Sequence, residues 1–498
     1  MRLVPGIVAL CAAVVAAAPA RGSDTRPVAG AAREEDFASL LGEPFSSRAA
    51  GLSFRPPAGA TPSRRLGYGA DIVTYTNAED KWQLRVSRMF LEKPARLLAG
   101  ESPGSGGNDG IVDQAVRQIL LQNAAAEILR KDVINVGPHD VGLVICRFVQ
   151  GGRTWLRQQA FFQANNRLFY VFDFTTPSTR AADSPPDAED AAERLAAGVF
   201  RAMLDTVRLL DQRPILADND ERLYRTRTLM VNLPRRIQSA VLPEQCFRVL
   251  REGKDIGWMY VCEEVGEHQG KGGFFVATLS HGLPEPGTTV DVACEMFCML
   301  DLKKADEAWV TVTVAEKEGR KQVVTEIGQS AKRVKPMRDE TGDRELRLRE
   351  VYNLSVTQTS KAGSKSVTRD LPPYYLPQAI GAMLPRLVPT SEAKGYLFMW
   401  WVSAEQEIIY RYIDVEPEKN VTFNGRQMRA AVVTDRIGLE GDPTFHYISP
   451  EGRYLGSHCP ATGITMVACD MQTLTRLWPG AVIARPHVLN NPPRDEGR

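Results

Sequence analysis

The C-terminal part of the sequence contains two histidines and two cysteines near one another, His446, His458, Cys459 and Cys469. Imidazole and thiolate are ligands that zinc prefers, and a histidine can also activate a cysteine as a nucleophile. The spacing of the four residues matches none of the compact metal signatures. Adjacent residues of a strand point to opposite faces, which argues against activation of Cys459 by His458. We therefore expect no metal and no cofactor, and we keep an enzyme site near His446 and Cys459 as an alternative.

The remaining cysteines raise the question of disulfide bonds. Cys246 and Cys262 flank a hairpin turn that the sequence predicts at residues 252–255, so the two would face each other across the strands. A disulfide and a pair of buried thiols are both open at this point. Cys294 and Cys298 are four residues apart on a predicted strand, about 13 Å along one face, which favours two buried thiols.

Motifs of the common catalytic classes are missing from the sequence. There is no nucleophile elbow, no phosphate-binding loop, no dinucleotide fingerprint and no zinc-protease helix. The glycine-rich run Gly104–Gly110 lacks the lysine that phosphate loops use and indicates a flexible connector. The sequence thus favours a protein that is not an enzyme.

The first twenty residues have the pattern of a secretory signal peptide. Arg2 precedes the apolar run 7–18, and Ala18-Pro19-Ala20 offers a small-x-small cleavage site. A membrane-spanning helix needs about 20 apolar residues, and no later stretch reaches that length. We expect cleavage after residue 20, a flexible leader over 21–35, an extracytoplasmic location (periplasmic or secreted), and no transmembrane segment in the mature chain.

The length and the charge balance restrict the class of protein. A chain of 498 residues is too long for one core, and roughly 150 residues per domain suggests about three units. Lys plus Arg (61) nearly equal Asp plus Glu (60), so the overall basic charge that is typical of nucleic-acid binding is missing. We expect no nucleic-acid partner.

The sequence predicts a first domain over residues 36–212, with aromatic-rich strands and two helices, at 111–129 and 187–210. It opens on Gly51-Leu52-Ser53-Phe54-Arg55-Pro56-Pro57, and it continues through an aromatic strand pair to a closing amphipathic helix around 200–204. In this order and in the opening motif it resembles the PsbP/DcrB-like superfamily. The resemblance implies an α/β/α sandwich with an antiparallel sheet, used as an accessory or binding module.

The second region, residues 215–480, is rich in strand patterns and contains one short predicted helix at 375–387. Strands are expected throughout, including one over 226–232, and a flexible tail over 481–498. Such a series predicts a large curved antiparallel sheet or incomplete barrel with one or two helices, so that the fold class is α+β. The region is one domain or two subdomains with a boundary near 335–345.

Two short sequence segments of the second region resemble segments of LolA-like lipoprotein carriers. They are Asp255-Ile256-Gly257-Trp258 and residues 421–426, which lead into Ala431-Val432-Val433. That resemblance implies a concave face that takes an acyl chain or a hydrophobic segment of a partner. Aromatic residues would line it, or would fill a core instead. The candidates are Trp258, Phe274, Trp400, Trp401 and Tyr410.

Three function classes follow from these observations. We favour a non-enzymatic binding or scaffolding protein outside the cytoplasm, and the alternatives are a carrier of a lipid-like ligand in the β-rich half and an enzyme. The partner is expected to be another protein or an apolar small molecule. A scaffold should display an exposed apolar patch.

Overall fold

The computed structural model describes residues 37–64, 71–91, 94–98, 110–178, 191–301, 306–336 and 348–490. The expected signal peptide and leader, most of the Gly104–Gly110 connector and the end of the expected tail lie outside these residues. The chain divides into two compact units, and the described residues belong to Arg21–Pro214 in the first and to Ile215–Arg498 in the second. The fold is mixed α+β and consists mostly of strands, as the sequence predicted.

The first unit contains a seven-stranded antiparallel sheet and a small three-stranded sheet. The large sheet has the order β3-β4-β5-β9-β8-β7-β6 and the small one β1-β2-β10. The strands are β1 (Phe45–Ser47), β2 (Leu52–Phe54), β3 (Thr61–Arg64), β4 (Asp71–Thr76), β5 (Gln83–Phe90), β6 (Glu127–Val136), β7 (His139–Gln150), β8 (Arg153–Asn165), β9 (Leu168–Pro177) and β10 (Arg208–Leu209).

One helix packs on each face of the seven-stranded sheet, which gives the expected α/β/α sandwich. Helix α1 (Ile111–Gln122) contacts the face that carries Phe161, and helix α2 (Ala191–Asp205) contacts the face that carries Phe162. Successive side chains of a strand point to opposite faces, so adjacent aromatic residues serve two different cores.

Both helices of this unit are shorter than the sequence predicted. Helix α1 ends at Gln122 and not near residue 129, because Asn123 turns the chain and its side chain accepts a hydrogen bond from the Ala125 N–H (3.1 Å). Strand β6 follows at once, with the β-branched residues that favour strands. Helix α2 ends at Asp205, and residues 208–209 form strand β10 instead of continuing the helix.

A long helix, α3 (Arg213–Ala240), replaces the strand that was expected at 226–232. Leu229, Leu233 and Ile237 are buried on one side of it, at the spacing of a helix face. The strand prediction was wrong because its seven-residue window is too short to distinguish alternation from helical periodicity.

The second unit is built on one fourteen-stranded antiparallel sheet with the order β18-β17-β16-β15-β14-β13-β12-β11-β24-β23-β22-β21-β20-β19. Its strands are β11 (Gln245–Arg251), β12 (Lys254–His268), β13 (Lys271–Glu285), β14 (Thr288–Met299), β15 (Glu307–Lys317), β16 (Arg320–Pro336), β17 (Leu348–Ser360), β18 (Gly363–Asp370), β19 (Lys394–Val402), β20 (Glu407–Phe423), β21 (Arg426–Ile437), β22 (Thr444–Ile448), β23 (Tyr454–Cys459) and β24 (Ile464–Cys469).

Two meanders make up this sheet. Strands β11 to β18 form the first meander and β19 to β24 the second, and each strand in them pairs with its neighbour in sequence. The meanders join where β11 pairs with β24, and we call this pairing the seam. Across the region where a subdomain boundary was considered, β16 and β17 pair directly, with Pro336 opposite Leu348.

The two faces of the fourteen-stranded sheet have different covers. The inner face, which carries Phe274 and Trp400, packs against helix α4 (Gln378–Leu387) and the second half of α3. The outer face, which carries Trp258 and Tyr260, packs against helix α5 (Met471–Leu477) and the residues after it.

Side chains at the far ends of the sheet contact each other, so the sheet is curved. The Glu326 carboxylate of β16 accepts hydrogen bonds from Gln358 of β17 (2.8 Å) and from Ser403, just after β19 (2.7 Å). Arg369 of β18 forms an ion pair with Glu407 of β20 (3.2 Å). These polar contacts bring one end of the sheet towards the other.

The start of the expected flexible tail lies on the outer face. Arg485 forms ion pairs with Glu264 and with the buried Glu295, and the Leu489 N–H donates to Glu295 (2.9 Å). Residues 481–490 are therefore attached to the sheet. No helix within the described ranges is both long and apolar enough to span a membrane.

Candidate functional site

The four histidine and cysteine candidates are divided between the two faces of the sheet. His446 and Cys459 lie on the inner face, whereas His458 and Cys469 lie on the outer face, because their positions in the register alternate. His458 and Cys459 therefore point apart. Among the residues that the structure describes, no group of three or more His, Cys, Asp or Glu side chains could hold a metal ion.

The expectation that Cys246 and Cys262 face each other directly across the strands is wrong. Both residues are free thiols, and Cys246 lies opposite Tyr260. The turn falls at Glu252–Gly253 and a β-bulge follows in the ladder, so the register differs from the symmetric hairpin that the sequence suggested. Cys246 and Cys262 are diagonal neighbours on the outer face.

Cys294 and Cys298 are both buried on the inner face as free thiols. Burial raises the pKa of Cys294 to about 12, although the Thr311 hydroxyl, which donates a hydrogen bond to its sulfur (3.1 Å), lowers it. Burial raises the pKa of Cys298 as well. A buried thiol with a raised pKa is a poor nucleophile, so these two residues serve the core.

The structure brings only part of the aromatic set together. Phe274 and Trp400 lie on the inner face, and Trp401, which alternates with Trp400 along β19, is buried in the same cluster as both, together with helix α4. Trp258 lies on the outer face and stacks on His281 (6.3 Å between ring centroids). Tyr410 is partly buried and contacts the ring of Tyr412.

The ionic cluster on the inner face was missed by the sequence reasoning. The Arg411 guanidinium donates to both carboxylate oxygens of Asp435 (2.5–3.1 Å) and lies over the Trp400 ring (4.5 Å to the centroid). His446 Nε2 lies 3.7 Å from Asp435, and His446 Nδ1 hydrogen-bonds the Tyr454 hydroxyl (2.8 Å). The sequence signal that could have revealed this cluster is the charge of Arg411, which stands at an inward position of the alternating run 408–415.

The electrostatics of this cluster favour a permanent ion pair. Burial by itself would raise the pKa of Asp435, but Arg411 and His446 hold that pKa well below its usual range. Arg411 Nη1 is buried and has no hydrogen-bond partner among the described residues. Asp435 thus stays ionised and orients Arg411, while one guanidinium donor is left unused.

A second buried carboxylate, Glu307, lies at the start of helix α4. The Gln378 N–H donates to it (2.8 Å), as expected where a helix begins. Burial raises the pKa of Glu307 to about 7, and the Tyr375 hydroxyl and the Gln378 N–H only partly oppose this. Glu307 therefore titrates near neutral pH.

An exposed apolar stripe runs along helix α3. Leu216, Tyr224 and Val231 are 58%, 74% and 77% exposed, and they lie about two turns apart on one side of the helix. Exposed Arg227 and Arg235 lie on the same side. We call these five residues the α3 stripe, and it extends over roughly 28 Å.

Comparisons with known proteins give distant structural matches only. Cyanobacterial PsbP from Synechocystis matches at 14% identity and a TM-score of 0.24, covering 36% of this chain and 98% of that one. A β-barrel-like protein of domain of unknown function DUF1849 from Brucella abortus matches at 12% identity and a TM-score of 0.28, covering 46% and 95%. A Bacteroides thetaiotaomicron protein matches at 11% identity and a TM-score of 0.22, covering 46% and 88%.

At the level of sequence, no family model and no curated protein matches the chain. The chain thus has distant structural matches, cyanobacterial PsbP among them, and no sequence family. The LolA-like resemblance stays a prediction.

Proposed function

We propose that this chain is a non-enzymatic binding or scaffolding protein that acts outside the cytoplasm and binds a protein partner through the α3 stripe. The observation that carries the proposal is the exposure of Leu216, Tyr224 and Val231 on one side of a helix. Exposed apolar side chains grouped among polar ones mark protein-interaction sites, and tyrosine and arginine are enriched in protein interfaces.

The electrostatic character of the stripe suggests the chemistry of the partner. Arg227 and Arg235 lie beside Tyr224 and Val231, and exposed Asp220 lies between Leu216 and Tyr224, so a partner with an apolar strip and carboxylates opposite the two arginines would complement it. The inner-face histidine cluster supports the non-enzymatic part of the proposal. His446 is engaged with Tyr454 and lies beside an ion-paired carboxylate.

Affinity capture of the full-length protein tests the partner proposal. The double variant Tyr224→Ser/Val231→Ser should lose a partner that wild type captures from the extracytoplasmic fraction. The matched control is Val265→Ser/Val482→Ser, at positions 59% and 82% exposed in the same unit, and it should retain that partner. Equal capture by all three proteins would remove the α3 stripe from the proposal.

A second candidate is a carrier for an apolar ligand with an anionic head group. The unused Arg411 Nη1, on a buried guanidinium that lies over the Trp400 ring, favours it, because a carboxylate there would gain a charge-assisted hydrogen bond. Mass spectrometry of an organic extract of the purified protein tests this candidate. A fatty acid or phospholipid in stoichiometric amount is expected for a carrier, and a clean extract would exclude it.

A further inference from the structure

Cys246 and Cys469 lie directly opposite each other across the seam, on β11 and β24. Directly opposed residues of antiparallel strands have Cα atoms about 4.5–5.5 Å apart, which is within the range that a disulfide spans. Both side chains face the outer side, in the small cluster with Tyr260 and Leu474.

The third thiol of this cluster, Cys262, is in a different position. It lies diagonally across from Cys246, and diagonal neighbours are about 7–8 Å apart, beyond the reach of a disulfide. The cluster therefore contains one pair of cysteines close enough to form a disulfide, Cys246 and Cys469, and a third cysteine, Cys262, that is too far from Cys246 to do so. Cys459 belongs to the inner face and is not part of it.

We propose that Cys246 and Cys469 form a disulfide when the protein meets a disulfide oxidant, and that this bond locks the seam between the two meanders. Two S–H bonds break and one S–S bond forms. The two electrons and two protons pass to the oxidant's disulfide, which leaves as two thiols. The bond would link β11 and β24, which are the first and last strands of the second unit in chain order. A disulfide that closes such a long loop lowers the conformational entropy of the unfolded chain most.

Peptide mapping of the full-length protein tests this proposal. The reduced protein is equilibrated with oxidised glutathione, alkylated and digested with trypsin without reduction. Trypsin separates Cys246 (peptide 237–248) from Cys262 (peptide 255–271) and from Cys469 (peptide 454–476). We expect peptides 237–248 and 454–476 to be linked, with fragment ions placing the link at Cys469 and not at Cys459.

Thermal unfolding gives an independent readout. Oxidation should raise the Tm of wild type by roughly 5–10 °C, and reductant should reverse the rise. Cys469→Ser and Cys246→Ser should each abolish the link and the shift, whereas the control Cys262→Ser should keep both. A link from Cys246 to Cys262, a glutathione adduct on Cys469, or full alkylation of all three thiols after oxidation would overturn the proposal.

Discussion

Arg411 and Asp435 form a charged pair in the interior of the second unit. Both side chains are almost fully buried, and Trp400 covers the guanidinium. Such a pair adds little stability compared with well-packed apolar residues, but loss of one partner leaves an uncompensated charge. We expect the pair to specify the arrangement of strands β20 and β21 more than it stabilises them.

A double-mutant cycle measures this coupling. Arg411→Met alone should lower the free energy of unfolding by about 3–5 kcal/mol, because Asp435 remains buried without its cation. Arg411→Met/Asp435→Leu should cost clearly less than the sum of the two single substitutions. Urea denaturation provides the free energies. Additive costs in the double variant would show that the pair is not coupled.

The pH dependence of stability should reveal Glu307. Its pKa is about 7 in the folded protein against 4.5 for an ordinary glutamate. Between these values the unfolded chain releases its proton and the folded protein keeps it, so stability falls as pH rises from about 4.5 to about 7. The loss attributable to Glu307 should be roughly 3 kcal/mol.

The variant Glu307→Gln isolates this contribution. As pH rises over that range, the unfolding free energy of wild type should fall relative to that of the variant. Urea titration at several pH values measures both free energies. Glu267→Gln, at an exposed position, is the control and should follow the wild-type profile. A wild-type and a Glu307→Gln profile of the same shape would contradict the raised pKa.

At the scale of elements, strand β19 is an edge that other segments cover. The Leu397 N–H donates to the Thr226 hydroxyl of α3 (2.9 Å), and the Met399 N–H donates to the Tyr374 carbonyl (2.9 Å). The Leu376 N–H donates to the Met399 carbonyl (2.8 Å). Unpaired edges invite association with other strands, so α3 and the segment before α4 protect this edge.

Substitution of Thr226 tests the contribution of this cover. Thr226→Val keeps the shape of the side chain but leaves the buried Leu397 amide without its acceptor, which should cost about 1–3 kcal/mol. The Leu397 amide should also exchange hydrogen faster. Thr228→Val is the matched control on the exposed side of the same helix and should have little effect. Equal exchange at Leu397 in both variants would count against a protected edge.

Helix α4 packs on the inner face through a glycine. A Cβ atom added at Gly381 would overlap the Trp400 ring. Gly381→Ala should therefore destabilise the protein by about 1–3 kcal/mol, although alanine normally stabilises a helix relative to glycine. Adding Trp400→Leu should relieve part of that cost in a chemical denaturation series. A Gly381→Ala variant more stable than wild type would refute this packing.

At the scale of the whole molecule, the remaining proposal concerns export. If the first twenty residues are a signal peptide, protein recovered from the extracytoplasmic fraction should begin at Arg21, by N-terminal sequencing or intact mass. Ala20→Leu should block processing at the small-x-small site and leave the longer chain with the membrane fraction. If protein recovered from the cytosol still began at Met1, the extracytoplasmic location would be contradicted. The proposal that the α3 stripe binds a partner would not be affected.

The local sequence was sufficient for the fold class and for most strands, because alternation of apolar and polar residues is set by neighbours a few positions apart. It was insufficient for α3, where a seven-residue segment has both periodicities, and for the end of α1 at Gln122. It also missed the Arg411–Asp435 pair, since the two residues belong to different strands and meet only after the sheet forms.

Sequence by itself determined that the chain is an α+β protein with a large antiparallel sheet in its second region, since these follow from residue patterns within single elements, whereas the sandwich was implied by the PsbP/DcrB-like resemblance. Only the tertiary structure decided which cysteine lies opposite Cys246, because one bulge and the pairing of β11 with the distant β24 set that register. It also decided which side of α3 stays exposed. Both outcomes depend on contacts between residues far apart in sequence, which no local pattern encodes.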